Sequence, residues 1–136
     1  MSAARVRVVA ALIPHPAQAG QFLIQQRLPG HRRGLLWEFP GGKVEPGESD
    51  AAALIRECRE ELAVEIEVGR AVWTTVHRYE DLEVELVLHA ARILRGAPKA
   101  LGAHALRFAT PEQMQALPFC EADVPLLWAL AKGQVS

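Results

Sequence analysis

The chain has 136 residues, with 15 Lys and Arg against 16 Asp and Glu, and half of its residues are hydrophobic. That balance excludes disorder, collagen and coiled coil, and it leaves no basic surplus with which to hold a nucleic-acid polymer. A chain of this length is expected to form one domain, residues 1–136, that folds without disulfides or a structural metal.

Arg5-Val6-Arg7-Val8 alternates and residues 9–13 are continuously apolar, which predicts a strand that is half buried at first and fully buried later. Pro14, Pro16 and Gly20 end it, and a second strand at residues 21–27 makes the pair a hairpin candidate. Residues 28–34 read as a loop carrying His31, Arg32 and Arg33. Residues 35–39 read as a short strand that breaks sharply at Pro40-Gly41-Gly42, and Pro46-Gly47 marks a turn. Ser49 can cap a helix reaching about Leu62, with Asp50 favourable in its first turn. Residues 66–68, 71–78 and 83–92 look extended, with 79–82 as the turn between the last two. Residues 96–102 form a loop and 106–109 a final strand. Thr110-Pro111-Glu112-Gln113 is a capping box opening a short helix, and a last helix spans about residues 124–132, with Asp123 at its start.

The expected fold class is α+β, a mixed β-sheet with one central helix and helical elements at the C-terminus. Cys58 and Cys120 have neither metal-ligand nor disulfide-framework spacing and suit reduced thiols in the cytoplasm. The apolar run at residues 8–13 is too short to cross a membrane, so no membrane partner is expected. A monomer and a homodimer are both open.

The informative segment is Arg56-Glu57-Cys58-Arg59-Glu60-Glu61. At about 100° per residue, Glu60 and Glu61 flank Glu57 at about −60° and about +40°, so three carboxylates share one helix face. Ala51, Ile55, Cys58 and Leu62 form the stripe expected to pack on the sheet. Like charges so spaced cost about 0.2–0.5 kcal/mol per pair on a solvated helix. The face is either a solvated acidic surface relieved by Arg56 and Arg59, or a hard-cation site of the kind Mg²⁺ or Mn²⁺ prefers.

The residues ahead of the helix separate these two. Gly42, five residues, Glu48, seven residues, Arg56-Glu57, two residues, Glu60-Glu61 and a closing Val64 together resemble the signature of Nudix hydrolases. Trp37-Glu38-Phe39-Pro40-Gly41-Gly42-Lys43 extends the resemblance and is similar to the MutT-like branch, and the order of elements matches the family's α/β/α sandwich. Cys58 stands at a usually aliphatic position. Ala63 stands where the family has a helix-ending glycine; alanine at positive φ costs about 1 kcal/mol, so a slightly altered helix end is expected.

The resemblance implies a hydrolase acting on acid anhydrides in phosphorus-containing substrates. More finely, it implies a Mg²⁺- or Mn²⁺-dependent nucleoside triphosphate pyrophosphohydrolase that releases (d)NMP and pyrophosphate, sanitising the nucleotide pool of 8-oxo-dGTP or acting on a cytosine (d)NTP. Carried over residue by residue, it makes Glu57, Glu60 and Glu61 catalytic and, with the Gly41 carbonyl, metal-binding. Gly42, Glu48 and Arg56 would position the loop, with Glu48 paired to Arg56. Arg27 corresponds to a phosphate-contacting arginine. Asp123 corresponds to a base-reading residue, besides an N-cap role; a carboxylate there accepts from cytosine N4 or from the amino and imino hydrogens of a guanine-type base.

Phe39 and Trp37 are candidates for an apolar wall against the base or for the core. Family members often carry a further glutamate in the loop before the last strand, where this chain has Gly102. The general base is then one of Glu57, Glu60 and Glu61, or His104 assists. Arg32 and Arg33 fit a substrate-steering loop or solvated charge. Two further readings are a dinucleoside-polyphosphate or nucleotide-sugar hydrolase, for which Tyr79 would be a marker, and a non-catalytic Nudix-fold nucleotide-sensing module, against which the full set of glutamates counts.

Overall fold

The apolar run after Arg7 becomes the centre of the molecule. In the computed structural model, which describes residues 4–135, the chain runs β1 (Arg5–Leu12), β2 (Phe22–Gln26), β3 (Trp37–Glu38), β4 (Gly41–Lys43), α1 (Asp50–Leu62), β5 (Glu65–Arg78), β6 (Glu83–Arg95), β7 (Ala105–Ala109), α2 (Pro111–Gln115), a 3-10 turn (Glu121–Asp123) and α3 (Val124–Ala131). One sheet has the order β4-β1-β6-β5, with β1 and β6 parallel and the other pairs antiparallel; a second, β3-β2-β7, is antiparallel. The mixed sheet and the α+β class are as expected.

Alternation on β1 separates two cores. Val9, Ala11 and Ile13 pack with Ala53, Leu54, Cys58 and Leu62 of α1. Ala10 and Leu12 face the other way, toward Phe39, Met114, Leu126 and Leu127. Each large apolar side chain so buried contributes roughly 1.5–3 kcal/mol, and burial on both faces is why residues 9–13 show no polar positions.

Four expectations need correction. The chain pairs antiparallel just past β1, through the Pro14–Phe22 bridge, the Leu23 N–H to Ile13 carbonyl bond of 2.9 Å and the His15 N–H to Gln21 carbonyl bond of 2.9 Å, but β1 and β2 themselves diverge into different sheets. The prolines stop the first ladder before a hairpin can extend. Residues 41–43 are a strand, not a break, because the glycines let β4 lie very close to β1.

The α1 stripe is centred on Leu54 and Cys58 and includes Ala53, whereas Ala51 is exposed and Ile55 partly buried. Ala53 lies one turn before Glu57, on the acidic side, so α1 is rolled with that face toward β4, beside the core. Finally, Ala63 does not alter the helix end. It adopts φ 58°, ψ 35°, its N–H donates to the Arg59 carbonyl at 3.2 Å, and the Val64 N–H reaches the Cys58 carbonyl at 3.4 Å. The Ser49 cap on Ala52 N–H and the Thr110–Gln113 capping box form as expected.

Candidate active site

Two glycines create the space in which the site is built. A Cβ on Gly41 would run into the Val9 carbonyl oxygen, so only glycine lets β4 cross β1 here. A Cβ on Gly42 would stand 2.6 and 2.7 Å from the Glu57 carboxylate oxygens. The motif's glycines are therefore a space requirement: they let the acidic face of α1 approach the backbone of β4.

Arg56 ties the following loop to α1. Its Nε and Nη2 donate to Glu48 Oε2 and Oε1 at 2.6 and 2.9 Å, and Nη2 also donates to the Lys43 carbonyl at 3.1 Å. Nη1 donates to Glu57 Oε1 at 2.9 Å. The guanidinium, with the Glu45 N–H donating at 3.0 Å, holds the Glu48 carboxyl down to about 2.

Glu57 and Glu61 line a cleft of about 390 Å³ together with Gln25, Arg27, Glu38 and Gly102. Burial raises the pKa of both; the Glu60 and Glu48 charges add to the effect at Glu57, and the Glu57, Glu38 and Glu60 charges add to it at Glu61. Glu60 differs. Its side chain is 60% exposed and stands 3.6 Å from Arg56 at the rim. Among the described residues no three metal-ligating side chains converge, because like charges at this spacing splay apart.

The chemistry of the donors nonetheless fits a hard cation. Carboxylate oxygens crowd a half-buried cleft whose glycines leave room beside them, and a divalent ion there would offset the burial and the repulsion that raise their pKa values.

The loop before β7 is fixed against this cleft by the end of α1. Leu101 and Gly102 N–H groups donate to the Glu61 carbonyl, both at 3.1 Å, and Lys99 N–H to the Leu62 carbonyl at 2.9 Å, satisfying carbonyls that a helix end leaves open. A Cβ on Gly102 would lie 2.5 Å from Glu61 Cδ, so this position admits no side chain while Glu61 keeps its place. His104 is exposed and lies outside both chambers.

A second chamber, about 180 Å³, opens on the other side of β3 and β4. Asp123, 4% exposed, sits in it with Phe39, Tyr79, Arg33 and Cys120. The expected N-cap role of Asp123 is not what the structure shows: its side chain makes no cap bond and its backbone is helical. It accepts instead from the Phe39 backbone N–H, and burial, then the Glu38 charge, pushes its carboxyl well above the usual range. Phe39 serves as both core and wall, tilted on Phe119 at 5.8 Å, whereas Trp37 is core alone. Both cysteines are buried, and burial pushes the Cys58 thiol up to about 12.

Arg27 lies where the chambers meet, its Nη1 donating to Glu38 Oε1 at 3.2 Å. Arg33 is no solvated charge: it pairs with Asp81 at 3.2 Å and covers the Tyr79 ring at 4.3 Å. Arg32 is 72% exposed, with Asp81 at 3.7 Å. Sequence reasoning missed Glu38 and Gln25. The one available signal for Glu38 was a lone acid inside the apolar run of residues 35–39.

These features define a class of protein, and residues 9–129 match the family model described as NUDIX domain. The chain belongs to that family and is a hydrolase acting on acid anhydrides in phosphorus-containing substrates. It is 40% identical over 126 residues to the CTP pyrophosphohydrolase of Escherichia coli (strain K12), covering 91% of this chain and 90% of that one. It is 37% identical over 65 residues to the 8-oxo-dGTP diphosphatase of Proteus vulgaris, covering 48% and 57%. Among solved structures, the solution structure of the E. coli ORF135 protein is 37% identical with a TM-score of 0.77, covering 96% of this chain and 91% of that one. A MutT protein from Methanosarcina mazei Go1 superposes with a TM-score of 0.84 over 98% and 97% at 18% identity, a likeness of fold.

Proposed function

We propose that the protein is a Mg²⁺- or Mn²⁺-dependent nucleoside triphosphate pyrophosphohydrolase of the cytoplasmic nucleotide pool, releasing a nucleoside monophosphate and pyrophosphate, with a cytosine nucleotide as its preferred substrate. The observation that carries this reading is the pair of chambers with a common wall. One holds the buried Asp123 against Phe39, the other holds Glu57 and Glu61, and Arg27, Glu38, Gly41, Gly42 and Lys43 line both. A base and a polyphosphate need these two environments side by side.

Asp123 supplies the base selectivity. Burial favours its protonated form, and in that form the carboxyl offers one O–H donor and one carbonyl acceptor. Cytosine presents the complement, an acceptor at N3 and a donor at N4. The same pair fits the N7–H and O6 of 8-oxoguanine, whereas guanine presents two acceptors on that edge. The relative that matches almost the whole chain is named a CTP pyrophosphohydrolase and the 8-oxo-dGTP diphosphatase matches about half of it, which favours cytosine.

In the other chamber, Glu57, Glu60, Glu61 and the Gly41 carbonyl would hold the cation, which when bound neutralises the polyphosphate and brings a water nearer to hydroxide. Arg27 and Lys43 are the cationic side chains that meet the phosphates along the common wall. Glu57 or Glu61 accepts the proton of the attacking water, since the raised pKa of each makes its carboxylate a stronger base than a solvated one. Glu48 and Arg56 hold the loop beside them. Tyr79 is committed elsewhere, its hydroxyl accepting from the Ala122 N–H at 3.0 Å and its ring covered by Arg33, which disfavours a dinucleoside-polyphosphate platform.

The test is product analysis with Mg²⁺ over CTP, dCTP, 8-oxo-dGTP, dGTP, ADP-ribose and diadenosine polyphosphates. Pyrophosphate and CMP from CTP, faster than any product from dGTP, are expected. Release no faster than the blank overturns the enzyme reading and leaves the sensing module.

A further inference from the structure

The wall between the chambers carries an acceptor that neither the base nor the phosphates use. Of the five residues lining both chambers, Arg27 and Lys43 are cations and Gly41 and Gly42 have no side chain; Glu38 alone can only accept. Gln25 and Glu38 face each other across β2 and β3, and Gln25 Nε2 donates to Glu38 Oε2 at 3.0 Å. Arg27 Nη1 donates to Oε1 at 3.2 Å. The Cys120 thiol also donates to Oε1, at 3.9 Å, so Oε2, with Gln25 as its one protein donor, is the oxygen with capacity for another. Gln25, 4% exposed, keeps its own Oε1 without a donor at the edge of the same cleft. A held carboxylate beside a buried, donorless amide oxygen is a place that lacks hydrogen-bond donors.

A nucleotide whose base meets Asp123 and whose phosphates meet the Glu57–Glu61 chamber carries its sugar across this wall. The donors a sugar offers are its hydroxyls. We propose that Glu38, held by Gln25 and Arg27, accepts a hydrogen bond from a sugar hydroxyl of the nucleotide, so that the enzyme selects its substrate on the sugar as well as on the base. The inference rests on the nucleotide reading above. A phosphate at the same spot would bring like charge against Glu38, and an apolar group would leave the Gln25 oxygen unpaired. Gln25 is a positioning residue, acting through the carboxylate it holds.

The experiment compares CTP with 2′,3′-dideoxy-CTP, and CMP with 2′,3′-dideoxy-CMP. The unaltered protein should hydrolyse the dideoxy triphosphate with kcat/KM at least about tenfold lower, a hydrogen bond to a charged group being worth that much or more. Glu38→Ala should bring the two substrates to within about twofold of each other, and Gln25→Leu should narrow the gap chiefly through KM. A preference retained in Glu38→Ala overturns the proposal. Calorimetric binding of the two monophosphates to the unaltered protein, without added metal, needs neither turnover nor a variant that folds. CMP should bind at least about tenfold tighter, and equal affinities, or no binding of either, overturn the proposal. If CTP is not hydrolysed but CMP binds more tightly, the pyrophosphohydrolase reading fails and the sugar contact stands; if CTP is hydrolysed and both monophosphates bind alike, the sugar contact alone fails.

Discussion

Both chambers contain carboxyl groups whose pKa values burial raises, yet the physics asks for opposite outcomes. In the Glu57–Glu61 cleft the acids stand near one another and near Glu38, so each charge makes the next more costly. A cation relieves all of them together. In the smaller chamber Asp123 is buried beside Phe39, Cys120 and Tyr79, with Glu38 as the one neighbouring charge that raises it, and burial favours keeping its proton. The same residue chemistry is thus pushed toward holding charge beside a cation on one side of β3 and β4 and toward the protonated form on the other.

The strongest test of that contrast is removal of charge without change of shape. Glu57→Gln and Glu61→Gln should each lower kcat by about 10²- to 10⁴-fold and shift the Mg²⁺ dependence, with the circular dichroism spectrum unchanged. Glu60→Gln should cost less than either, because that side chain is 60% exposed at the rim. Equal losses at Glu57 and Glu60 would mean that α1 presents all three acids together once substrate is bound. Gly102→Ala should resemble Glu61→Gln in activity although it removes no functional group, since its Cβ would displace the Glu61 carboxylate.

In the smaller chamber, Asp123→Asn retains one donor and one acceptor, whereas Asp123→Ala retains neither. The first should keep kcat/KM for CTP within about threefold, and the second should lower it about 10- to 100-fold, the range of one lost charged or paired hydrogen bond. The pH dependence follows with a definite sign. Asp123 has its folded pKa raised, so its contribution to stability is complete below the unfolded value near 4 and is lost as pH rises through the folded value. Activity on CTP should fall over the same rise, because the ionised group can no longer donate to N3. In Asp123→Asn that fall should vanish, and its persistence would place the titration on another residue.

A smaller effect is expected at the Glu48–Arg56 pair, which acts on the loop rather than on substrate. Glu48→Gln should lower kcat/KM about tenfold by loosening residues 44–49. In the unaltered protein the Glu48 carboxyl is held down to about 2, so its stabilising effect is present above the unfolded value near 4 and is lost as pH falls through about 2. Acid unfolding followed by fluorescence should show the variant lacking that dependence.

How far the site could be read from the chain depended on what fixes each residue. Gly42, Glu48, Arg56, Glu57 and Glu61 lie within the consecutive strand, loop and helix of residues 41–62, and their local spacing could be read directly. The capping residues Ser49 and Thr110 were legible for the same reason. Glu38 and Gln25 meet only through the β2–β3 register, and Tyr79 reaches Ala122 across residues distant in sequence. The Asp123 N-cap expectation failed because burial beside Phe39 outweighs the local preference of a short acid for a helix start. The β1–β2 hairpin failed because strand order is decided by which sheet face each apolar residue fills, which the turn residues alone do not encode.

The mildest effect is expected where no chemistry is involved. Ala63 holds φ 58° at the end of α1, a conformation that costs a residue with a Cβ about 1 kcal/mol. It is kept there from both sides. Val64, 1% exposed, anchors the chain in the core beyond it, while the loop before β7 is bonded to the Glu61 and Leu62 carbonyls just before it. Ala63→Gly should therefore stabilise the fold by up to about 0.5 kcal/mol, raising Tm by about 1–2 °C, after the greater freedom of glycine in the unfolded chain offsets part of the gain. Because Glu61 is positioned by helix and loop and not by the strain itself, kcat should not change. A fall in kcat with the rise in Tm would show that the left-handed alanine holds the acidic end of α1 in its working position, and that this chain retains the strain for function.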